Sequence, residues 1–310
     1  MPEAGIRIGC RLAALAVSLL AALLLAPGRA EATITSCTMT ATDVVFSPYD
    51  TQTQTAVDST GTIEIECFGD GTSNNTSLHI GFGTQGGGTC TSRRMGNGTN
   101  RLSYQIYKTA ARNTVFCASG DRMPLTFNLG TGSQKQTIIM YGRVAAAQNP
   151  VYAATPYTDV LTLELRNGNA GGLLRSVSTT VSSMVAAICT VSAGSLGFGS
   201  YSGTAVDATA SVSVNCSNGA PYSIVMGGGN NQSGSLRRMA GPAGNFLGYQ
   251  LFRDSARSLA WGDNSAQLGA TRGGTGSGTA QSISVYGRIP GGQNPVPGSY
   301  SDTVLVTVDY

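Results

Sequence analysis

The chain has 310 residues and a formal net charge of +3, and charged residues make up only 11% of the sequence. Such a weak charge does not favour a nucleic-acid-binding protein, which needs a basic surface to offset phosphates. The length is sufficient for two domains that each bury a core.

The segment Met1–Ala32 has the pattern of a secretory signal peptide. Arg7 and Arg11 precede an apolar run over Leu12–Ala26, and small residues close the segment at Ala30–Ala32. The run is short for a membrane-spanning helix. We therefore expect export through the inner membrane to the periplasm. The mature charge falls to +2, because three arginines and two glutamates leave with the signal.

The rest of the sequence is an internal repeat of two similar copies. Matching blocks keep their order in the two copies, at offsets of about 145 residues. Arg93–Met95 returns as Arg237–Met239, and Tyr157–Asp159 returns as Tyr300–Asp302. This order indicates a duplicated domain. The predicted parts are an N-terminal domain over 33–173, a linker over 174–188 and a C-terminal domain over 189–310.

Short runs of alternating apolar and polar residues recur in both copies, and this alternation is typical of β-strands. Examples are Thr62–Glu66, Thr162–Leu165, Ser211–Val214, Ser282–Val285 and Val304–Val308. Clusters of glycine and asparagine between the runs favour turns. Each copy has room for six or seven strands, so the sequence predicts an all-β protein of two tandem immunoglobulin-like sandwiches.

Six cysteines remain after the signal peptide, and an even number in an exported protein predicts disulfides. The repeat matches a pair near the start of the first copy to a pair near the start of the second. Two further cysteines belong to the first copy alone. The predicted bridges are Cys37–Cys67, Cys189–Cys216 and Cys90–Cys117.

We predict no catalytic residue, metal site or cofactor. The single histidine, His79, lies in the alternating run Leu78–Ile80, where a solvent-facing strand residue is expected. No nucleophile motif accompanies it, and the glycine run Gly86–Gly88 lacks the lysine of a phosphate-binding loop. Asp159 and Asp302 recur at one corner of each copy, which favours a structural role over acid–base chemistry.

Six ordered blocks of the second copy resemble the spore coat protein U family, which includes subunits of Csu-type archaic chaperone-usher pili. The blocks are Leu196–Tyr201, Val212–Cys216, Leu247–Tyr249, Trp261–Asp263, Val285–Pro290 and Gly298–Asp302. The first copy follows the pattern more loosely, with Phe46–Tyr49 and Phe116–Cys117 in place of two blocks.

The resemblance implies a polymer on the cell surface that is assembled by donor-strand complementation. A pilin domain of this kind lacks the last strand of its sandwich. A periplasmic pilus chaperone fills the gap first, and at the outer-membrane usher the N-terminal donor strand of the next pilin subunit replaces it. The physical basis is β-augmentation, in which a foreign strand supplies backbone hydrogen bonds and core side chains.

The two copies differ at their ends. The last predicted strand of the second copy contains Val304, Val306 and Val308 and is followed directly by Tyr310. We therefore expect the C-terminal sandwich to lack its last strand and to accept one from another protein.

The linker is expected to supply the missing strand of the first copy. Val177, Thr179, Val181 and Val185 share one face of an extended chain, which suits an internal donor strand. A plain tether is the alternative, and the four-residue spacing of the valines also fits a helix.

Cleavage after Ala32 leaves Thr33–Ser36 ahead of Cys37, and four residues extend about 14 Å at most. This length is too short to fill a groove in a neighbour. We expect a subunit that accepts a strand without donating one, at the distal end of a fibre. Such a chain resembles the two-domain tip adhesin of Csu pili, which implies attachment to abiotic or host surfaces and biofilm formation.

Features found in the first copy alone are candidates for surface binding, among them the insertion Asp50–Thr53 and the loop Val151–Ala154. The loops expected at the outer tip are 68–75, 111–124 and 167–173. The predicted contacts are Val115, Phe116, Met123 and Pro124. Alternatively, Leu125, Phe127 and Leu129 alternate as a core strand.

Two other functions stay open. One is a glycan-specific, lectin-like adhesin that uses Tyr49, Tyr152 and asparagine-rich loops. The other is a structural coat or matrix protein without a ligand.

Overall fold

A computed structural model describes residues 34–70, 76–85, 88–117, 120–129 and 132–310. The predicted signal peptide Met1–Ala32 lies outside these residues, as do positions 71–75 and 118–119 of the predicted tip loops. The predicted all-β class is confirmed, since the regular structure in the described ranges is β-strand apart from one 3-10 turn, Pro242–Gly244. None of the described helical structure is long and apolar enough to cross a membrane.

The described residues of the first domain form eleven strands, more than the sequence predicts. The strands are β1 (Ile34–Ala41), β2 (Val44–Tyr49), β3 (Val57–Gly69), β4 (Thr76–Gln85), β5 (Gly88–Thr89), β6 (Ser92–Asn97), β7 (Asn100–Tyr107), β8 (Met123–Phe127), β9 (Ser133–Val144), β10 (Tyr157–Asn167) and β11 (Leu173–Val185). One layer has the order β1-β3-β9-β7-β6 and the other has the order β8-β4-β10-β11-β2. The layers meet where Thr158 pairs with Gly96.

The second domain forms eight strands. They are β12 (Cys189–Ala193), β13 (Val206–Cys216), β14 (Pro221–Met226), β15 (Arg237–Ala240), β16 (Phe246–Phe252), β17 (Arg272–Thr275), β18 (Gln281–Ile289) and β19 (Val306–Asp309). Their sheets have the orders β12-β13-β18-β16-β15 and β17-β14-β19.

The two domains share one strand order, apart from β2, β5 and β11. The layer β1-β3-β9-β7-β6 matches β12-β13-β18-β16-β15, and β8-β4-β10 matches β17-β14-β19. The repeated alternating runs explain this likeness, because each run turns the same set of side chains toward the core. Apart from the two-residue β5 beside β6, the domains therefore differ at one edge, beside β10 in the first domain and beside β19 in the second.

Disulfides link equivalent strands in both domains. Cys37–Cys67 joins β1 to β3, and Cys189–Cys216 joins β12 to β13. The first domain has a further bridge, Cys90–Cys117, between the turn after β5 and the segment that precedes β8.

Candidate strand-acceptor groove

In the first domain, β11 fills the space between β2 and β10. It runs parallel to β2 and antiparallel to β10. Val181 lies opposite Val44 on one side and opposite Asp159 on the other. The predicted linker is therefore a strand, and both backbone edges of its central part are paired.

One face of β11 is buried in the core of the first domain. Thr179, Val181 and Val185 are buried, and Val177 is half-buried. Ser183 interrupts the apolar pattern, but it is also buried, and its Oγ donates a hydrogen bond to a backbone carbonyl of β2 at 3.3 Å. The alternation read from the sequence thus matches the face that fills the groove.

The second domain has an open groove at the corresponding place. A cavity of about 400 Å³ lies between the segment 193–198 and the segment 300–306. Its apolar lining includes Leu196, Phe198, Val212, Met226, Val285, Val304 and Val306. In the described part of the chain, β19 pairs with β14, and no strand covers its other edge.

Matching residues show the difference between a filled and an open groove. The apolar residues of β10, namely Leu161, Leu163 and Leu165, are fully buried. Their counterparts in the second domain, namely Val304, Val306 and Val308, are half-buried and pack against its core. Two of these three predicted acceptor residues, Val304 and Val306, line the cavity.

The open groove also shortens the last strand. β10 has 11 residues, whereas β19 has four. The segment before β19 has one isolated β-bridge, between Ser301 and Ala240. A strand needs a partner for its backbone hydrogen bonds, so the missing neighbour accounts for the short β19.

A tyrosine–aspartate pair lies beside each groove. Tyr104 donates a hydrogen bond to Asp159 at 2.7 Å, and Tyr249 donates one to Asp302 at 2.7 Å. Tyr249 and Asp302 line the open cavity. Burial, followed by the hydrogen bond to the carboxylate, raises the pKa of both tyrosines above the usual range. Both phenols therefore stay protonated, which suits a structural donor and not a general base.

A buried arginine accompanies each pair. Arg93 donates to the carbonyl oxygen of Phe116 at 2.9 Å, and Arg237 donates to the carbonyl oxygens of Met226 and Trp261 at 2.9 Å. Burial lowers the pKa of both guanidinium groups, and the nearby tyrosine and aspartate oppose this shift. The repetition of the whole arrangement in both domains favours a folding role.

Two features unique to the first copy form the joint between the domains. The insertion Asp50–Thr53 and the loop 151–154 lie against the turn that follows Cys216. The contacts are Thr51 Oγ1 to Ser217 Oγ at 2.9 Å and Tyr152 N to the carbonyl oxygen of Asn218 at 2.7 Å. The expectation that these features bind a surface is corrected, because they hold the second domain.

One predicted contact residue is wrong. Phe116 is fully buried and packs edge-to-face on Phe82, with ring centroids 5.0 Å apart. A backbone hydrogen bond to β7 draws this part of the loop inward. Val115 and Met123 are half-buried, and Pro124 is exposed.

The alternative assignment for the neighbouring segment is correct. Leu125, Phe127 and Leu129 are buried as the core face of β8 and its continuation. Tyr49, considered as a sugar contact, is also fully buried, and its hydroxyl accepts a hydrogen bond from the backbone of Gln148 at 2.9 Å. Tyr49 is therefore not a glycan contact.

The end of the first domain that lies away from the joint exposes two large apolar side chains. β3 ends and β11 begins at this end, and Phe68 is 39% and Leu173 50% exposed. Both residues fall within the predicted tip loops, although the sequence did not single them out. Their position at strand ends, each beside a glycine-rich stretch of sequence, is the signal that distinguishes them.

His79 lies in β4, in register with Pro124 and Arg166 on the two neighbouring strands. It is half-buried, so the expectation of a solvent-facing residue is only partly met. Among the described residues, no group of three or more potential metal ligands occurs.

The fold and groove define a tandem of two sandwiches of one topology, of which one is closed by its own chain and the other is open. The family model of the Spore Coat Protein U domain matches residues 25–164 and 176–307. The chain therefore belongs to the Spore Coat Protein U domain family and carries two copies of the domain, which confirms the resemblance seen in the sequence.

Similar proteins include Protein U of Myxococcus xanthus, which is 33% identical over 132 residues, or 38% of this chain and 72% of that protein. A solved chaperone–tip adhesion subunit pre-assembly complex from archaic chaperone-usher Csu pili of Acinetobacter baumannii is 17% identical, with a TM-score of 0.49 over 89% of this chain and 100% of that chain. The CupB6 tip adhesin of Pseudomonas aeruginosa is 10% identical, with a TM-score of 0.39 over 89% of this chain and 94% of that chain.

Proposed function

We propose that the chain is the adhesive end subunit of a chaperone-usher pilus and is assembled by donor-strand complementation. The contrast between the two grooves carries this proposal. β11 fills the groove of the first domain from within the chain, whereas the equivalent groove of the second domain is open. The second domain is thus the one that takes a strand from another protein.

The open groove accounts for the proposed partners. Its apolar lining and unpaired strand edge would promote aggregation if they stayed uncovered. A periplasmic pilus chaperone would cover the groove after export, and the outer-membrane usher would exchange it for the N-terminal donor strand of the next pilin subunit. The donor would satisfy the backbone of β19 and bury Val304 and Val306.

The first domain supports an end position. β1 pairs with β3 and is tied to it by the Cys37–Cys67 bridge, so this early segment belongs to its own sandwich. At the end away from the joint, Phe68 and Leu173 supply apolar contact area for an abiotic or host surface. Surface attachment and biofilm formation are the proposed outcome.

Val306, the first residue of β19, and the preceding residue Leu305 provide the assembly test. Val306 faces the groove, whereas Leu305 is 71% exposed. In cells that produce the complete pilus, Val306→Asp should abolish incorporation of the chain, because a donor strand would have to bury the new charge. Leu305→Asp should leave incorporation intact. Immunogold labelling of Val306→Asp at pilus ends, at the level of the unmodified chain, would contradict the proposal.

The adhesion test replaces the two exposed residues of the outer end. Phe68→Ser with Leu173→Ser should reduce adhesion to a hydrophobic surface while the number of labelled pili stays constant. Val160→Ser is the matched control, because Val160 is 53% exposed on the flank of the same domain. Unchanged adhesion, or competition by a particular sugar, would contradict the proposed apolar contact.

A further inference from the structure

We infer that the groove of the second domain selects a donor strand with larger apolar side chains than those of β11 at two defined positions. The inference rests on the proposed function and names the chemistry of the partner strand. β11 serves as the template, because it occupies the equivalent groove of the first domain.

The two grooves are built from matching parts, which makes the template valid. Gly142 packs closely against Val44 and Phe46 of β2. Gly287 packs in the same way against Leu196 and Phe198 of the second domain. A further pair of tyrosine hydroxyls supports the match, since Tyr49 and Tyr201 each accept a hydrogen bond of 2.9 Å from a glutamine backbone. A donor in the open groove would therefore run parallel to 196–201 and antiparallel to β19.

The last strand of the second domain, which forms one wall of the open groove, has smaller side chains than β10 at two positions. In the first domain, Val177 lies opposite Leu163, and Thr179 lies opposite Leu161. The second domain has Val306 and Val304 at the corresponding positions, and each valine is one methylene shorter than leucine. A donor placed like β11 would find extra space at both levels.

The strands β13 and β18, which form the floor of the open groove, also carry smaller side chains than their counterparts β3 and β9. Three positions of the first domain change toward smaller or less bulky side chains in the second: Ile63 to Val212, Ile65 to Val214 and Met140 to Val285. All three positions are buried core positions in both domains. The cavity of about 400 Å³ includes Val212, Val285, Val304 and Val306 in its lining. Val212 and Val285 thus widen the groove that Val304 and Val306 line, and Ala210 in place of Gly61 offsets part of this gain.

Opposite the position of Val181, the side chain that lines the groove is larger in the second domain than in the first. Val181 of β11 lies opposite Val44, and the counterpart of Val44 is the larger Leu196. No extra space exists at this level. The groove therefore favours larger residues at the positions equivalent to Val177 and Thr179, but not at the position equivalent to Val181.

Close packing explains why the size of the donor side chains determines which strand the groove binds. Protein interiors are close-packed, so a small side chain leaves a void and an oversized one forces strain. The partner is therefore a strand of another subunit with leucine-sized or larger apolar residues at these two positions, and not the β11 segment of a second copy.

Three peptides with the sequence of residues 173–185 provide the test. The first is unchanged, the second carries Val177→Leu with Thr179→Leu, and the third carries Val181→Leu as the matched control. Binding of each labelled peptide to the oxidised mature chain is measured by fluorescence anisotropy. The second peptide should bind at least about tenfold more tightly than the first, or about 1.4 kcal/mol. The third should bind no more tightly than the first.

The reverse change is made in the chain itself. Val304→Leu with Val306→Leu restores the wall of the first domain and should remove the preference for the second peptide. Disulfide formation and the fluorescence of Trp261 check that this variant is folded. Equal binding of the first two peptides would overturn the size rule while leaving the acceptor groove intact. Binding of none of the three peptides would overturn the acceptor groove and therefore the proposed function itself.

Discussion

Thr51 Oγ1 and Ser217 Oγ form a buried hydrogen bond of 2.9 Å between the two domains. The Ser217 hydroxyl also donates to the carbonyl oxygen of Ala186 at 2.8 Å and accepts a hydrogen bond from the backbone of Ile188 at 3.1 Å. One side chain thus fastens the insertion of the first domain and the connection after β11 to the start of the second domain.

Loss of this hydroxyl should loosen the joint. Ser217→Ala would leave buried polar groups without a partner, at a cost of about 1 to 3 kcal/mol. We expect faster proteolysis of the connection 186–188 and a lower unfolding midpoint, measured by timed digestion and by calorimetry. Thr53→Val is the control, because Thr53 lies in the same insertion but is exposed. Equal digestion of both variants would contradict this role.

The buried arginine of the first domain gives a second prediction. Arg93 donates to the carbonyl oxygen of Phe116 and to Gln105, and its guanidinium lies 4.4 Å from the ring centroid of Phe82. Arg93→Met should lower the free energy of unfolding by at least about 2 kcal/mol, because it leaves a buried carbonyl unpaired. Urea unfolding measures the change.

Arg94 is the matched control for that measurement. It is the next residue of β6 and is exposed on the opposite face. Arg94→Met should change the free energy of unfolding by less than about 0.5 kcal/mol. Similar losses for both variants would show that general charge, and not the buried hydrogen bonds, accounts for the effect.

Acid stability provides a third prediction. The side-chain hydrogen bond from Arg143 lowers the pKa of Asp58 below its usual value, and the charge of Arg112 acts in the same direction. Because the folded pKa lies below the unfolded one, this contribution is present above about pH 4 and is lost as the pH falls through the folded pKa. Asp58→Asn should therefore flatten the acid limb of the stability curve.

The size of that effect is limited by exposure. The side chain of Asp58 is 39% exposed, so solvent screens the pair and we expect a change below about 1 kcal/mol at neutral pH. Arg143→Gln should flatten the same limb when melting temperatures are measured between about pH 2 and pH 7. A steep acid limb in both variants would show that other carboxylates control it.

The sequence favoured a strand for the linker and indicated its buried face, although the spacing of the valines also fitted a helix. Val181 and Val185 alternate with hydroxyl residues, and a period of two has one physical meaning once the segment lies beside a sheet. The groove residues Leu196 and Phe198 could also have been predicted from the sequence. The block that contains them matches Phe46–Tyr49, which lines the closed groove.

Tertiary contacts decided the features that the sequence did not reveal. Phe116 follows a turn, where an apolar residue has the same local pattern whether it points inward or outward. Its edge-to-face contact with Phe82 determines the outcome. Likewise, the insertion around Thr51 resembles a free surface loop until Ser217, 166 residues later, is placed against it.

The filled groove gives the final prediction. Val181 is fully buried at the centre of β11, whereas its neighbour Ser182 faces outward and is half-buried. Val181→Asp should expel β11, because an unpaired carboxylate would otherwise be buried in the core. The β10 amides that face β11 should then exchange with solvent at least about tenfold faster, as measured by hydrogen–deuterium exchange, since their partners are removed, whereas the amides paired with β4 keep theirs. Ser182→Asp should leave this exchange unchanged. Persistent protection of the amides facing β11 in Val181→Asp would mean that the first domain closes without β11, so its groove would no longer be a template for the second.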